Sequence, residues 1–150
     1  MASANPYLNF SGNCLEAFEF YKSVLGGEFS SVNEFSEMPS EATSNQIREA
    51  APDGIMHISL PIGDSILMGS DVPPGMGTVT AGNTCYVCLS PDSPDEAKRV
   101  FVGLSEGGEI EMAFDRQFWG DYFGSFTDKY VIRWMVDVAD PDASSRPRDP

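Results

Sequence analysis

The sequence predicts an α+β fold built from two tandem β-α-β-β-β modules, and three observations carry this prediction. Two amphipathic helix patterns begin at residues 13 and 93, and each ends at a Gly-Gly pair. The helix starts lie 80 residues apart and the glycine pairs, at 26–27 and 107–108, lie 81 apart. Such agreement indicates an internal duplication. Each helix pattern is also preceded by one β-rich segment and followed by several others.

The first module covers about residues 4–71. Its helix, over 13–25, is predicted to start with a capping box of Asn13 and Glu16, and one apolar stripe of the helix faces a core. The strands of this module are predicted at 7–10, 28–35, 55–62 and 65–70. A polar segment, residues 39–52, interrupts the module and is predicted to be a mobile loop.

The second module covers about residues 83–138 and repeats the pattern. Ser93 is the predicted N-cap of its helix, Pro94 occupies the first helical position, and Glu96 completes a capping box. The strands are predicted at 84–89, 109–114, 122–127 and 131–138. A Pro- and Gly-rich linker joins the modules, which together form one domain over 1–138, and residues 139–150 read as a polar tail.

Charge excludes several classes of partner. Nine Lys and Arg residues against 23 Asp and Glu residues give a net charge of −14, which repels the phosphates of nucleic acids and of anionic membranes. The sequence has no apolar run of the ~20 residues that a membrane span needs. Its first residues show no secretory signal pattern, so the expected location is the cytoplasm.

The cysteine pattern predicts neither a disulfide framework nor a metal site. Cys85 and Cys88 form a C-x-x-C sequence, but residues three apart on a strand point to opposite faces. Their thiols are therefore not expected to share one metal ion. We predict that Cys14, Cys85 and Cys88 are buried small apolar residues, because free cysteines are usually buried.

Six sequence blocks make the resemblance to a known family specific. They are residues 5–10, 17–27, 56–60, 67–71, 118–121 and 127–130. The F-x-F-Y-K-x-V-L-G-G and F-W-G-D motifs among them resemble the PhnB-like branch of the vicinal oxygen chelate superfamily, which includes glyoxalase I and the bleomycin-resistance proteins. That branch has also been labelled methyltransferase-like, but the sequence contains no Gly-rich strand–turn–helix typical of S-adenosylmethionine sites.

This resemblance implies curved sheets around a cavity, with the helices packed on the opposite side. Strand alternation then separates a helix-facing set of side chains from a cavity-facing set. The candidate ligand-binding residues are Asn5, Tyr7, Asn9, His57, Ser59, Met68, Cys85, Trp119, Arg133 and Met135. A shift of one residue in register would invert the assignment.

The resemblance also locates the superfamily's metal ligands. Alignment by helix starts and last strands puts the four ligand positions, within a residue or two, at Asn5, Met68, Cys85 and Arg133. These residues replace the histidines and glutamates that divalent metals prefer, and His57 is the only histidine in the chain. We therefore expect neither a bound metal nor any other cofactor.

Two functions remain open: metal-free binding or sequestration of a small molecule, and catalysis on an unknown small substrate. His57 is read as a structural residue, a ligand contact or a general base, and Arg133 as an anion-binding group or the partner of an internal carboxylate. Trp119 either stacks on a ligand or packs in a core, for example at an interface between the modules. The resemblance and the apolar side chains of the exposed sheet face together predict a homodimer.

Overall fold

The computed structural model describes residues 2–38, 47, 49 and 51–142 of the 150-residue chain. The chain forms two compact units, residues 1–80 and 81–150. Most of the predicted mobile loop, residues 39–52, lies outside the described residues. None of the described helices is long and apolar enough to cross a membrane.

The first unit is a four-stranded sheet with one long helix on one face. Its elements are β1 (Tyr7–Phe10), α1 (Cys14–Leu25), β2 (Ser31–Glu34), a short 3₁₀ turn (Phe35–Glu37), β3 (Ile55–Ile62) and β4 (Ser65–Asp71). The strand order is β1-β4-β3-β2, in which β1 runs parallel to β4 and the other pairs are antiparallel. Helix α1 packs on β3 and β4, and the core lies between these elements.

The second unit repeats this topology. Its elements are β5 (Val87–Leu89), α2 (Pro94–Ser105), β6 (Glu109–Arg116), β7 (Asp121–Thr127) and β8 (Arg133–Ala139). The strand order is β5-β8-β7-β6, again with one parallel pair, between β5 and β8. Helix α2 packs on β6, β7 and β8. The predicted α+β fold of two β-α-β-β-β modules is therefore confirmed.

Each sheet has a glycine where the helix presses a phenylalanine against it. A Cβ atom on Gly69 of β4 would lie 2.6 Å from the ring of Phe18, and a Cβ on Gly124 of β7 would lie 2.7 Å from the ring of Phe101. Any larger residue would push helix and sheet apart. These two glycines therefore let the aromatic residues of α1 and α2 fill the core.

The two helices begin differently, and only one begins as predicted. The hydroxyl of Ser93 accepts a hydrogen bond from the backbone N–H of Glu96 at 3.2 Å, so the predicted N-cap at Ser93 is confirmed. The Glu96 carboxylate does not complete the predicted box and pairs with Arg99 instead. The predicted box at Asn13 and Glu16 is wrong, because the Asn13 side chain makes no capping hydrogen bond. Asp71, at the end of β4, accepts instead from the N–H of Cys14 at 3.0 Å.

Several strand ends also differ from the prediction. β5 contains only three residues, because the chain from 84 to 86 does not enter the ladder. β2 is likewise shorter than predicted. β8 extends to Ala139, and the next residue, Asp140, is buried and accepts a hydrogen bond from Arg116 at 2.6 Å. Specific contacts thus continue past the predicted boundary at residue 138.

Candidate functional site

Each sheet has a covered face, which packs on the helix, and an open face on the opposite side. On the covered face of the first unit lie buried side chains such as Phe10, Ile58, Leu60 and Leu67. Strand register puts uncharged polar, aromatic and thioether groups on the open face: Tyr7, Asn9, Ser31, Asn33, His57, Ser59, Met68 and Ser70. The predicted alternation of the first module is therefore present in the structure.

Tyr7 and His57 form the most chemically versatile pair on this face. The Oη atom of Tyr7 and the Nδ1 atom of His57 lie 3.4 Å apart, and the ring centroids are 5.8 Å apart. Tyr7 is 46 % exposed and His57 is half-buried. A hydroxyl and an imidazole at this spacing can exchange a proton or bind one polar group together.

Two further candidates, Met68 and Ser59, lie beside Tyr7 on the same open face. Met68 lies between Tyr7 and Ser59 in one row across the sheet. The Ser59 hydroxyl is already shared with Ser30 and Ser31, at Oγ–Oγ distances of 2.6 and 2.8 Å.

Two asparagines complete the set of candidates in this unit. Asn5 uses its side-chain oxygen to accept a hydrogen bond from the N–H of Ile66 at 3.0 Å, so it anchors the chain before β1. Asn9 is exposed on the open face.

The open face of the second unit carries sulfur atoms and charges. One row across its strands consists of Cys88, Met135, Ser125 and Met112. Cys88, and not Cys85, is therefore the cysteine that pairs with Met135. Cys85 lies before the strand, with its thiol 4.0 Å from the carbonyl oxygen of Tyr86.

The prediction that all three cysteines are buried is wrong. Cys14 is buried in α1, but Cys85 and Cys88 are exposed. The reason is the late start of β5, which leaves Cys85 outside the sheet and turns Cys88 to the open face. Although the residue is exposed, partial burial of its thiol, and secondarily the charge of Asp137, raise the pKa of Cys88, which disfavours its reactive thiolate.

Arg133 is neutralised by an internal carboxylate. Its guanidinium forms an ion pair with Glu111, and its Nε donates to the carbonyl oxygen of Gly82 at 2.7 Å. Tyr86 and Thr127 also donate to Glu111, at 2.7 and 3.0 Å. Of the two roles left open for Arg133, the structure therefore favours pairing with an internal carboxylate.

Two aspartates lie close together further along β7 and β8. Burial raises the pKa of Asp137, and the charge of neighbouring Asp121 raises it further. The Oδ1 atom of Asp137 is inaccessible to solvent and lacks a hydrogen-bond partner among the described residues. The alternation of side chains along one strand could not reveal this pair, because the two residues lie on different strands and are 16 positions apart in the sequence.

Trp119 lies at the tip of the β6–β7 hairpin and not in a core. It is 51 % exposed, and its ring centroid lies 5.0 Å from that of Phe118 and 6.1 Å from that of Phe123. Phe118, at the same tip, is 97 % exposed. Trp119 is thus not packed in the core of its own unit, and stacking on a ligand or packing at an interface stays a prediction.

Equivalent rows in the two sheets refine the alignment of the metal-ligand positions. Met68 has Ser59 beside it in the first unit, and Met135 has Ser125 beside it in the second. In each unit the next row along the last strand holds the glycine that contacts the helix: Gly69 pairs with Ile58, and Gly124 pairs with Val136. The second-unit equivalent of Met68 is therefore Met135, which lies two residues after Arg133 and within the margin of the alignment.

The donor set of these rows is poor for a divalent metal. Over residues 2–38, 47, 49 and 51–142, three or more His, Cys, Asp or Glu side chains are nowhere grouped closely enough to hold a metal ion. The absence of a metal site remains a prediction, which must be tested by measuring the metal content of the purified protein.

Comparison with known proteins identifies the family. Residues 5–136 match the family model of the Glyoxalase/Bleomycin resistance protein/Dioxygenase superfamily. The chain belongs to this superfamily. It is also 36 % identical over 141 residues to Protein YjdN of Escherichia coli (strain K12), a match that covers 89 % of this chain and 93 % of YjdN.

Solved structures agree with this assignment. Protein PA1353 from Pseudomonas aeruginosa is 36 % identical, with a TM-score of 0.80 over 93 % of this chain and 99 % of that one. A Bacillus cereus PhnB protein, titled a putative 3-demethylubiquinone-9 3-methyltransferase, has a TM-score of 0.67 at 20 % identity, covering 92 % of this chain and 100 % of that one. The resemblance is thus confirmed at the level of the superfamily, and the PhnB neighbour, at 20 % identity, supports the fold alone.

Proposed function

We propose that this PhnB-like chain binds or sequesters a small molecule on the open face of its first unit, without a metal ion. The observation that carries the proposal is the adjacency of Tyr7, His57 and Met68 on an uncharged face. A phenol, an imidazole and a thioether can contact a ring and bind one or two polar groups of a ligand. The superfamily includes bleomycin-resistance proteins, for which binding is sufficient.

The charge distribution argues against an anionic ligand. The first unit's open face, as given by the described register, is uncharged, and Arg133 on the second unit's open face is paired with Glu111. An anion would have to compete with Glu111 for the guanidinium, and it would approach a chain of net charge −14. A neutral or cationic aromatic compound meets no such barrier.

A second function, catalysis, is favoured by the contact between Tyr7 and His57. An imidazole near neutral pH can act as a general base, and a phenol 3.4 Å away can bind the same substrate oxygen or orient the ring. Catalysis requires that the bound substrate is converted to product, whereas the binding proposal requires only that a ligand is held.

A ligand screen by thermal shift tests the proposal, since a ligand that binds only the folded state raises the melting temperature. For each compound that stabilises the protein, Tyr7→Phe should weaken binding by about 2–10-fold, because one hydrogen bond is worth about 0.5–1.5 kcal/mol. Tyr122→Phe, on the covered face of the second unit, is the matched control and should leave affinity unchanged.

His57→Asn separates binding from catalysis. Under the binding proposal it weakens affinity for the compound and no product forms with either protein. Product formation by the wild type that is lost in His57→Asn would support the enzyme instead. Affinity unaffected by both Tyr7→Phe and His57→Asn would contradict a site on this face.

A further inference from the structure

The carboxylate of Asp71 is buried in the first unit without a cationic partner among the residues that the structure describes. It is 6 % exposed, and it accepts hydrogen bonds from the N–H groups of Gly12, Cys14 and Ile55. None of the ion pairs between described residues includes it. The two oxygens of a carboxylate offer about four acceptor positions, so these three donors leave one free. Because buried charges are ordinarily paired, the free position favours a donor that carries positive charge.

A cavity of about 460 Å³ leads from solvent to this carboxylate. Phe35 and Asp71 in its wall are buried, whereas Val79 is 37 % exposed. All of its described lining residues belong to the first unit, so this unit forms the cavity by itself. The volume lies within the ~300–1,000 Å³ of typical pockets for small molecules. We call it the proline cavity, after Pro73 and Pro74 in its wall.

The wall of the proline cavity is mostly apolar, and hydrogen bonds hold its backbone in place. The N–H of Phe35 donates to the carbonyl oxygen of Gly54 at 2.9 Å, and the N–H of Val72 donates to that of Phe10 at 2.8 Å. The two adjacent prolines have a backbone φ that their rings fix. Such a preformed wall loses little conformational entropy when a ligand binds.

The equivalent cavity of the second unit has a different chemistry. Since Met68 is equivalent to Met135, the position of Asp71 is taken by Val138 in the second unit. Three aspartates line that cavity, which has a volume of about 440 Å³: Asp92, Asp121 and Asp137. A single buried carboxylate behind apolar walls is therefore a property of the first unit.

We propose that the proline cavity binds a compact apolar molecule that carries one primary ammonium group. The ammonium group donates a hydrogen bond to Asp71, and the hydrocarbon part contacts Phe35 and Val79. Asp71 repels an anion, and a neutral molecule leaves its charge unpaired, whereas the net charge of −14 attracts cations. The proline cavity shares no lining residue with the open-face ligand site, so the inference does not rest on the proposed function.

Three probes separate charge from hydrogen bonding: phenethylamine, phenethyl alcohol and phenethyltrimethylammonium. Phenethylamine is protonated at pH 7, as a lysine amine is. In titration calorimetry it should bind at least about tenfold more tightly than the alcohol, which lacks the charge. It should exceed the trimethylammonium compound by a similar factor, because that cation has no N–H to donate. The second comparison excludes a general attraction of cations to an acidic chain.

A charge placed in the wall tests the location of the site. Val79→Arg puts a cation into the proline cavity and should weaken phenethylamine binding at least about tenfold. Ile66→Arg is the matched control, because Ile66 is 38 % exposed and its replacement changes the net charge equally. Ile66 lies five residues before Asp71 on β4, about 16 Å along the strand, which exceeds the ~8 Å Debye length at 0.15 M salt. We expect less than about a twofold effect from this control.

Backbone amide resonances report whether the probe reaches Asp71. The N–H groups of Gly12 and Ile55 donate to this carboxylate, so saturating phenethylamine should shift both resonances, and phenethyl alcohol should not. This measurement uses the wild type, so it does not depend on the folding of a variant. Tyr7→Phe, on the open face, should leave phenethylamine affinity unchanged.

Four results would each overturn the proposal. The first is the absence of saturable phenethylamine binding at millimolar concentration, and the second is equally tight binding of the alcohol or the trimethylammonium compound. The third is an equal loss of affinity in Val79→Arg and Ile66→Arg when both variants keep the wild-type urea midpoint. The fourth is a set of shifted amides at Asp92 and Asp137, in the cavity of the second unit, with Gly12 and Ile55 unmoved.

Discussion

The carboxylate of Asp71, at the end of the neighbouring strand β4, caps helix α1, with its Oδ1 atom 3.0 Å from the backbone nitrogen of Cys14. The same oxygen accepts from the N–H of Gly12 at 2.9 Å, and Oδ2 accepts from the N–H of Ile55 at 2.9 Å. One buried side chain thus joins the last residue of β4, the start of α1 and the start of β3. It replaces the local cap that the sequence suggests at Asn13.

Loss of this carboxylate should destabilise the protein far more than loss of the apparent local cap. We expect Asp71→Ala to lower the free energy of unfolding by about 3 kcal/mol, because unpaired buried donors cost about 1–3 kcal/mol each. Asn13→Ala should change it by less than about 0.5 kcal/mol, as surface substitutions usually do. Urea unfolding of the three proteins measures both values, and a larger loss for Asn13→Ala would contradict the assignment of the cap.

Glu111 should make stability depend on acid pH. The hydrogen bond from Tyr86 lowers the pKa of Glu111, and Thr127 and Arg133 lower it further, against the opposing effect of burial. A carboxyl whose pKa is lower in the folded state stabilises the protein above its unfolded pKa of about 4.3 and loses that contribution as pH falls through the folded value.

The stability difference between the wild type and Glu111→Gln should therefore shrink as pH is lowered from about 5 to about 3. Tyr86→Phe removes the hydrogen bond that contributes most to the lowered pKa of Glu111, so it should reduce this pH dependence. Chemical unfolding at several pH values gives the comparison. A difference that stays constant over this interval would show that Glu111 has an ordinary pKa.

Asp137→Asn should stabilise the protein at neutral pH. Burial and the charge of Asp121 raise the pKa of Asp137, so the folded state favours its protonated form. That preference adds stability below the unfolded pKa of about 3.9 and is lost as pH rises through the folded value. At pH 7 the ionised pair is a net cost, which the neutral amide removes.

Calorimetry should therefore give a higher melting temperature for Asp137→Asn than for the wild type at pH 7, by about 2–4 °C for each kcal/mol gained. The gain should vanish at about pH 3, below the unfolded pKa of the Asp137 carboxyl. Asp64→Asn, at an exposed turn, is the control and should change little. A lower melting temperature for Asp137→Asn at pH 7 would count against repulsion at this pair.

Removal of metal should leave the protein unchanged. The residues at the rows equivalent to the superfamily's ligand positions are aromatic or sulfur-containing, and the described residues contain no group of three His, Cys, Asp or Glu side chains suited to a metal ion. After dialysis, plasma mass spectrometry should detect fewer than about one zinc, nickel or manganese ion per ten chains, and EDTA should not shift the melting temperature. One tightly held ion per chain would refute this expectation.

The sequence alone was sufficient for the duplicated β-α-β-β-β plan and for the cap of α2. Ser93 and Glu96 are three residues apart, and a hydrogen bond within one helical turn depends on little beyond local residue order. Strand alternation likewise assigned Tyr7, His57 and Ser59 to one face, because the period of two is a property of the single strand.

Register and distant contacts were decided only by the tertiary structure. Asp71 is 57 residues from Cys14, and Glu111 is 22 residues from Arg133, so neither pairing follows from local spacing. The late start of β5 pairs Cys88, and not Cys85, with Met135. Alternation determines which residues share a face of a strand, but the position of one strand against the next depends on how the core packs across the whole sheet.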